Sequence, residues 1–285
     1  MLNLAFWNLN KKDSSKEVTD FIRLVTGSLV SGAPSDTIVG FAESNGIDWP
    51  KVLSDLGSNW HIMSSARGRF TIATNIYKGQ FIKISEKGRS YFIGVARPSS
   101  IGLHNIVLCF VHFESPFGKW YKDSNAQSEA LKIRNRIVEI EESWSLPDTV
   151  VLGDLNMDPY EPAMTNGRGL NAAMCRNVAR QMTRTFGPKD DEETVRFFYN
   201  PMWRALGDRT STNQPGSYYN SKDKSDAVVW HCIDQVLVRP SLIDHIVDGT
   251  PSVITEIGTI RLLSRGGLPK KMISDHLPIF VSLDL

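Results

Sequence analysis

Cysteine is scarce in this sequence: its 285 residues hold three, Cys109, Cys175 and Cys232. An odd and widely spaced set forms neither a disulfide framework nor a zinc cage, so the three are expected as small core residues in a reducing compartment. Long apolar runs are lacking as well. The longest, Ile106 to Val111, falls far short of the roughly 20 residues that span a bilayer. The first residues, MLNLAFWNLNKK, lack a basic leader followed by an apolar segment, and a cytoplasmic protein is expected. Nor is there an excess of charge of one sign. Thirty-two Lys+Arg oppose 31 Asp+Glu, so no global field draws the chain to nucleic acid or an anionic membrane, and any basic surface has to be local. Zinc motif, P-loop, Rossmann fingerprint, recognition helix and internal repeat are all missing. What remains is an ordinary globular composition, 41% hydrophobic and 22% charged, which excludes disordered and coiled-coil chains.

Short runs rich in Val, Ile and Phe alternate with amphipathic stretches, as in one layered α/β domain over residues 1–285. Strands are expected at Leu2–Trp7, Thr37–Ala42, Phe70–Thr74, Phe81–Ser85, Tyr91–Ala96, Asn105–His112, Thr149–Gly153, Cys232–Val238 and Pro278–Leu283. Most are apolar on both faces, which suits sheets covered by helices. Ser14 and Glu17 have capping-box spacing ahead of a stripe of Val18, Phe21, Ile22 and Val25. Ser124 and Gln127 repeat the device before Ala126, Ala130, Ile133, Ile137 and Ile140. A third helix, about Leu170 to Thr183, would set Arg176, Arg180 and Arg184 on one face, as a solvated face or a phosphate-facing ridge.

Acidic, amide and imidazole residues recur where the strand candidates end, which is where layered α/β proteins place their sites. The first strand leads into Asn8-Leu9-Asn10, the second into Glu43, the Asn105–Val111 run into His112, and Thr149–Gly153 into Asp154-Leu155-Asn156. Asp234 lies within the His231–Val238 run, and Ser274-Asp275-His276 precedes the last strand. Each feature alone has a bland reading. Gly-Asp-x-Asn is usually a turn, a Glu after a strand is usually just exposed, and a His on a strand more often makes a structural hydrogen bond than a reaction.

Their joint order is more informative. Asn-x-Asn, Phe-Ala-Glu-Ser, Val-His-Phe, Gly-Asp-Leu-Asn-Met-Asp-Pro, Ile-Asp-Gln-Val-Leu-Val and Ser-Asp-His-Leu-Pro-Ile, running from Asn8 to Ile279, resemble the endonuclease/exonuclease/phosphatase superfamily typified by deoxyribonuclease I. The resemblance implies a four-layer α/β sandwich: two mostly antiparallel sheets packed face to face, helices outside, and a cleft at one edge between them. It implies Mg²⁺ or Mn²⁺ held mainly by Glu43, with Asn8 and Asp275 beside it. It makes Asp154 the group that orients or deprotonates the attacking water, and Asn156 a contact to the phosphate or to a second metal. His276, fixed by Asp234, would bind the phosphate in the transition state, and His112 would bind phosphate or act as leaving-group acid. The chemistry agrees, since phosphodiester hydrolysis needs a hard ion on oxygen ligands, an activated water and donors around the developing phosphorane. His61, His104 and His245 fall outside the motifs, and His231 would at most line the cleft.

Departures from the family pattern narrow the branch. Lys11 rather than Gly follows Asn10, and the Tyr-x-Pro-Asn segment of apurinic-site endonucleases is replaced by Val-His-Phe. Asn156-Met157-Asp158 and Cys232 stand where inositol polyphosphate 5-phosphatases carry Asn-Tyr-Arg and a basic residue. A family-specific insertion is expected around 160–228, with aromatic segments Phe197–Trp203 and Tyr218-Tyr219 that either pack under a loop or stack nucleobases. Asn10, Arg67, Arg69, Arg265, Lys270 and Lys271 are candidate substrate contacts, suited to the phosphate backbone or else to solubility. The function expected is metal-dependent hydrolysis of nucleic acid, DNA in preference to RNA. A phosphomonoesterase or lipid phosphodiesterase of the same superfamily, and a non-catalytic binding protein, stand as alternatives.

Overall fold

Strands and helices alternate through the first half of the chain. In order they are β1 (Leu2–Asn8), α1 (Ser15–Thr26), β2 (Asp36–Ala42), α2 (Trp49–Leu56), β3 (His61–Ser64), β4 (Phe70–Thr74), β5 (Phe81–Lys87), β6 (Ser90–Ser99), β7 (Gly102–His112), α3 (Asp123–Trp144) and β8 (Thr149–Asp154). The computed structural model describes residues 1–27, 35–99, 102–115, 123–207, 215–222 and 227–285. Among the described residues no helix is long and apolar enough to cross a membrane.

Two helical crossovers organise two sheets. β1 and β2 pair in parallel around α1, and β7 and β8 pair in parallel around α3. Antiparallel strands extend each pair. The first sheet runs Ser252–Val253, Ile279–Leu283, β1, β2, β4, β3, and the second runs β5, β6, β7, β8, Asp234–Val238, Phe198–Tyr199, Ala172–Ala173. The alternation of each strand explains the stacking. Leu2, Leu4 and Phe6 of β1 meet Ile106, Leu108 and Phe110 of β7 in one core between the sheets. Ala5 and Trp7 turn the other way onto Val18, Phe21, Ile22 and Val25 of α1, while Val107, Cys109 and Val111 turn onto Ala130, Ile133 and Ile137 of α3. The result is the expected four-layer α/β sandwich with mostly antiparallel sheets. Gly40 sets how closely the sheets approach: a Cβ there would lie 2.4 Å from the Phe110 ring.

Local details differ from expectation for identifiable reasons. Ser14 precedes α1 but makes no side-chain cap; its hydroxyl donates instead to the Ile273 carbonyl at 2.9 Å, tying the helix to the loop before Asp275. Helix α3 begins at Asp123, so Ser124 lies within it rather than ahead of it, and the Ser124 side chain lies outside the described part. The Cys232–Val238 strand starts at Asp234, because Trp230–His231 pairs with Tyr218–Tyr219 in a separate two-stranded ladder.

The helix expected over Leu170–Thr183 is largely absent. Asn171 and Met182 adopt positive φ (53° and 70°), Ala172–Ala173 pairs with Phe198–Tyr199, and only Arg176–Ala179 is helical. Its arginines form no ridge. Arg180 pairs with Asp244, Arg176 lies over the Tyr199 ring, and Arg184 lies between the rings of Phe186 and Phe197. Of the expected insertion around 160–228, residues 208–214 and 223–226 lie outside the described residues.

Candidate active site

Register delivers the site. His112 and Asp234 stand opposite Asp154 on the strands to either side of β8, so three adjacent strands bring three polar side chains to one level. Gly153 makes this packing possible, since a Cβ there would lie 2.0 Å from the Val111 carbonyl oxygen. In the other sheet Asn8 stands opposite Ala42, and the backbone then turns sharply: Asn10, Lys11 and Glu43 have φ of 46°, 59° and 49°. Hydrogen bonds Leu9 N to Ala42 O (3.0 Å) and Lys11 N to Glu43 O (2.8 Å) lock the two turns together. A left-handed Glu costs roughly 1–3 kcal/mol. That strain aims the Glu43 carboxylate into the gap between the sheets.

At the site the sheets are joined by a hydrogen bond from Asn8 Nδ2 to Asp154 Oδ2 at 2.9 Å. Asn8 Oδ1 accepts from Asn10 N at 3.0 Å, and Asp154 Oδ1 accepts from Asn156 N at 2.9 Å. The Ser274–His276 loop is held by Ser274 Oγ donating to Asn8 O (2.7 Å) and Trp7 Nε1 donating to His276 O (3.0 Å). His276 Nδ1 lies 2.9 Å from Asp234 Oδ2, which also accepts from Ser217 Oγ at 2.7 Å. The other ring nitrogen, Nε2, lies 4.0 Å from Asp154 Oδ2. On the far side, His112 Nε2 lies 3.7 Å from both Glu43 Oε1 and Asp154 Oδ2.

Burial and charge divide the roles of these groups. Burial alone would lower the His276 pKa, but the Asp234 charge and hydrogen bond, with Asp154 and Asp275 beyond, lift it to about 10 and keep the ring an imidazolium. Asp154 is pushed up to about 7 by burial, against the pull of His276 and with the Asp234 charge adding to it. His112 falls to about 4, first through burial and then through the positive charges of His276, Arg89, Arg69 and Lys11. It is therefore neutral at pH 7.

A pocket of about 140 Å³ gathers Asn8, Asn10, Glu43, His112, Asp154, Asn156, Asp275 and His276, all expected from the sequence, together with Ser115, Tyr218 and Ile233. Asp234 sits behind His276. Arg67, Arg69, Arg265, Lys270 and Lys271 do not line this pocket, though Arg69 is near enough to bias His112. Sequence reasoning did not single out Ser217 or Tyr218 for the site. Tyr218 reaches it through a bridge to His276, their rings 4.7 Å apart, and no local pattern announces a pairing across so many residues.

The donor set suits a hard cation. Glu43, Asp154 and Asp275 put three carboxylates on one small pocket, and Asp275 Oδ1 is buried with no hydrogen-bond partner among the described residues. Asp154, Asp234 and His276 also offer atoms within 4.8 Å of one another. That trio makes a poor cage: His276 is charged and its Nδ1 is bound to Asp234, so it has no lone pair to give.

This two-sheet architecture, with its site at the strand ends, is the deoxyribonuclease I-like α/β sandwich of the endonuclease/exonuclease/phosphatase proteins. An AP endonuclease from Archaeoglobus fulgidus matches the whole chain over its own whole length, with a TM-score of 0.53 and 15% identity. An endonuclease/exonuclease/phosphatase family protein from Bacteroides thetaiotaomicron matches with the same score and identity, over 100% of this chain and 95% of its own. The human nocturnin catalytic domain matches with a TM-score of 0.52 and 12% identity, over 99% and 94%. No protein-family model and no curated protein sequence matches the chain.

Proposed function

We propose that the protein is a divalent-metal-dependent phosphodiesterase that hydrolyses nucleic acid, acting on DNA as an endonuclease, by direct attack of water. The observation that carries this reading is the junction of the sheets: a buried Asp154 carboxyl, bonded to Asn8 and poised near pH 7, facing the His276 imidazolium. A carboxylate with that pKa accepts a proton from water efficiently at neutral pH. His276, anchored by Asp234, stabilises charge on the phosphoryl oxygens as they become more negative. His112 is neutral, so it donates a hydrogen bond to the phosphate rather than serving as a ready acid. Asn156, its Nδ2 held by the Phe113 carbonyl at 3.0 Å, fixes the opposite wall.

Glu43, Asp275 and the amide oxygen of Asn8 are the residues that would hold Mg²⁺ or Mn²⁺: hard oxygen donors, two anionic and one neutral. The ion would supply Lewis-acid polarisation of the phosphate. The fold supports phosphoester hydrolysis by analogy with one neighbour described as an AP endonuclease and another described as an endonuclease/exonuclease/phosphatase family protein, and the scarcity of cysteine supports a cytoplasmic setting. Lys11 after Asn10 sets the chain apart from the apurinic-site pattern. The test is supercoiled plasmid with Mg²⁺ or Mn²⁺, with EDTA and Asp154→Ala controls. Nicking abolished by both controls supports the reading. Intact plasmid alongside turnover of RNA or of small soluble phosphate esters would replace it with one of those substrates.

A further inference from the structure

A second histidine–aspartate pair lies beside the first. The turn that carries Asp154 and Asn156 continues to Asp158, which is buried. Asp158 Oδ1 accepts from Cys232 N at 2.7 Å, and its Oδ2 lies 2.7 Å from His231 Nδ1. Asp158 thus holds His231 by the same ring nitrogen through which Asp234 holds His276. The other nitrogen of each ring is turned away from its carboxylate.

The neighbouring ladder places this pair relative to the pocket. His231 stands directly opposite Tyr218, so their side chains leave the same face, while Tyr219 and Trp230 leave the other and meet edge to face at 5.3 Å. Tyr218 lines the pocket, with its ring 4.7 Å from His276 and 6.4 Å from His231. Tyr218 therefore stands between two aspartate-held imidazoles, His276 in the pocket and His231 next to it but outside its lining. Burial, together with the charges of Asp275, Asp154 and Asp234, keeps the Tyr218 hydroxyl protonated as a donor.

A polynucleotide carries further phosphates beside the scissile one, and donors spaced along the cleft are what would engage them. We propose that His231, held by Asp158, and Tyr218 bind the phosphate adjoining the scissile one, so that the site prefers substrates with at least two consecutive phosphodiesters. This rests on the phosphodiesterase reading above. A purely structural pair, clamping the 154–158 turn to Cys232, would show no such preference.

The experiment compares kcat/KM of wild type, His231→Gln and His231→Arg on a dinucleoside monophosphate and a trinucleoside diphosphate, with Mg²⁺ or Mn²⁺. His231→Gln should lose about tenfold on the longer substrate, chiefly through KM, as expected for one charge-assisted hydrogen bond, and stay within about twofold of wild type on the shorter. His231→Arg should recover most of the loss. Equal losses on both substrates would make the pair structural, and unchanged kinetics on both would remove the contact; either result overturns the proposal. If His231→Gln unfolds at the assay temperature, Asp158→Asn makes the same comparison, removing the carboxylate that holds His231 while leaving an amide oxygen to accept from Cys232 N. A selective loss on the longer substrate supports the proposal, and an equal loss or none overturns it. Wild type that cleaves neither substrate nor plasmid would instead refute the phosphodiesterase reading itself, and this proposal with it.

Discussion

Replacing Glu141 with glutamine should cost the fold about 3–5 kcal/mol, the usual penalty for stripping one partner from a buried ion pair. Glu141 lies near the end of α3 with its side chain only 3% exposed. It accepts from Arg239 Nε (2.7 Å) and Nη2 (2.9 Å), from Arg196 Nη1 (2.9 Å) and from Thr149 Oγ1 (2.6 Å). Arg239 is 1% exposed and its guanidinium lies 3.9 Å from the Phe198 ring centroid. Burial pulls the Arg239 pKa down and the Glu141 charge holds it up. A guanidinium cannot escape by deprotonating, so in the variant it would keep its charge with the Arg196 and Phe197 carbonyls and the Phe198 ring among its remaining partners.

The location separates stability from catalysis. Thr149 begins the strand that ends in Asp154, and Arg239 follows the strand that begins at Asp234. The clamp therefore grips both strands at the ends opposite the site. Urea unfolding at constant m-value should show the loss, while kcat at a temperature where the variant stays folded should match wild type. The double variant Glu141→Met/Arg239→Met should be more stable than the sum of the single losses implies, by about 2 kcal/mol or more. A single-variant loss below about 1 kcal/mol, or strictly additive losses, would mean that water reaches Arg239 and that the pair does not clamp the strands.

Asp154→Ala and His276→Ala should each lower turnover by about a hundredfold to ten-thousandfold with the fold retained; more than a few per cent residual activity would contradict their roles. Glu43→Ala should raise the Mg²⁺ concentration for half-maximal activity by at least about tenfold, and an unchanged titration would show that Glu43 is no ligand. One thiol of three should react with a chromogenic disulfide in the native protein, because Cys175 is exposed whereas burial pushes the Cys109 and Cys232 thiols well above their usual range; a second fast-reacting thiol would mean that a core face opens. In metal-free protein, stability should fall as pH rises from 7 towards 10. The His276 pKa is about 10 against a usual 6.5, so the charged ring stabilises the fold fully below 6.5 and that contribution is lost towards 10. Asp154, with a pKa of about 7, is half titrated at the start of that window and adds to the fall up to roughly pH 8, so the His276 contribution is read between pH 8 and 10. A melting temperature flat between pH 8 and 10 would show that the imidazolium is not held.

The sequence was most legible where one signal spoke for one element. Runs such as Phe70–Thr74, rich in β-branched and aromatic residues and free of charge, read as buried strands, and the structure keeps the same bounds. The polar residues at strand ends were legible for a related reason: a strand's last residue is placed by the strand, so Asn8, His112 and Asp154 needed no knowledge of loops. Legibility failed where two local signals competed. Leu170–Thr183 has helix-forming residues, but Asn171 and Met182 turn left-handed and the edge of the second sheet captures Ala172–Ala173. It failed again where a partner is remote. Ser14 looks like a cap until Ile273 is brought beside it, and neither Ser217 beside Asp234 nor His231 beside Asp158 follows from spacing.

The distinction has a physical root in how the site is divided. Asn8, Glu43 and the Ser274–His276 loop belong to the first sheet; His112, Asp154 and Asp234 belong to the second. Each half is set by short-range register, but the hydrogen bond from Asn8 to Asp154 and the approach of His276 to Asp234 exist only when the two sheets pack. The packing depth is fixed by apolar side chains that take no part in the chemistry, such as Phe110 against Gly40. The raised pKa of Asp154 depends on that packing too, since burial is its largest cause. A carboxylate poised near pH 7 is thus a property of the closed sandwich rather than of the Gly-Asp-Leu-Asn segment, which as an isolated peptide would ionise near the ordinary value for aspartate.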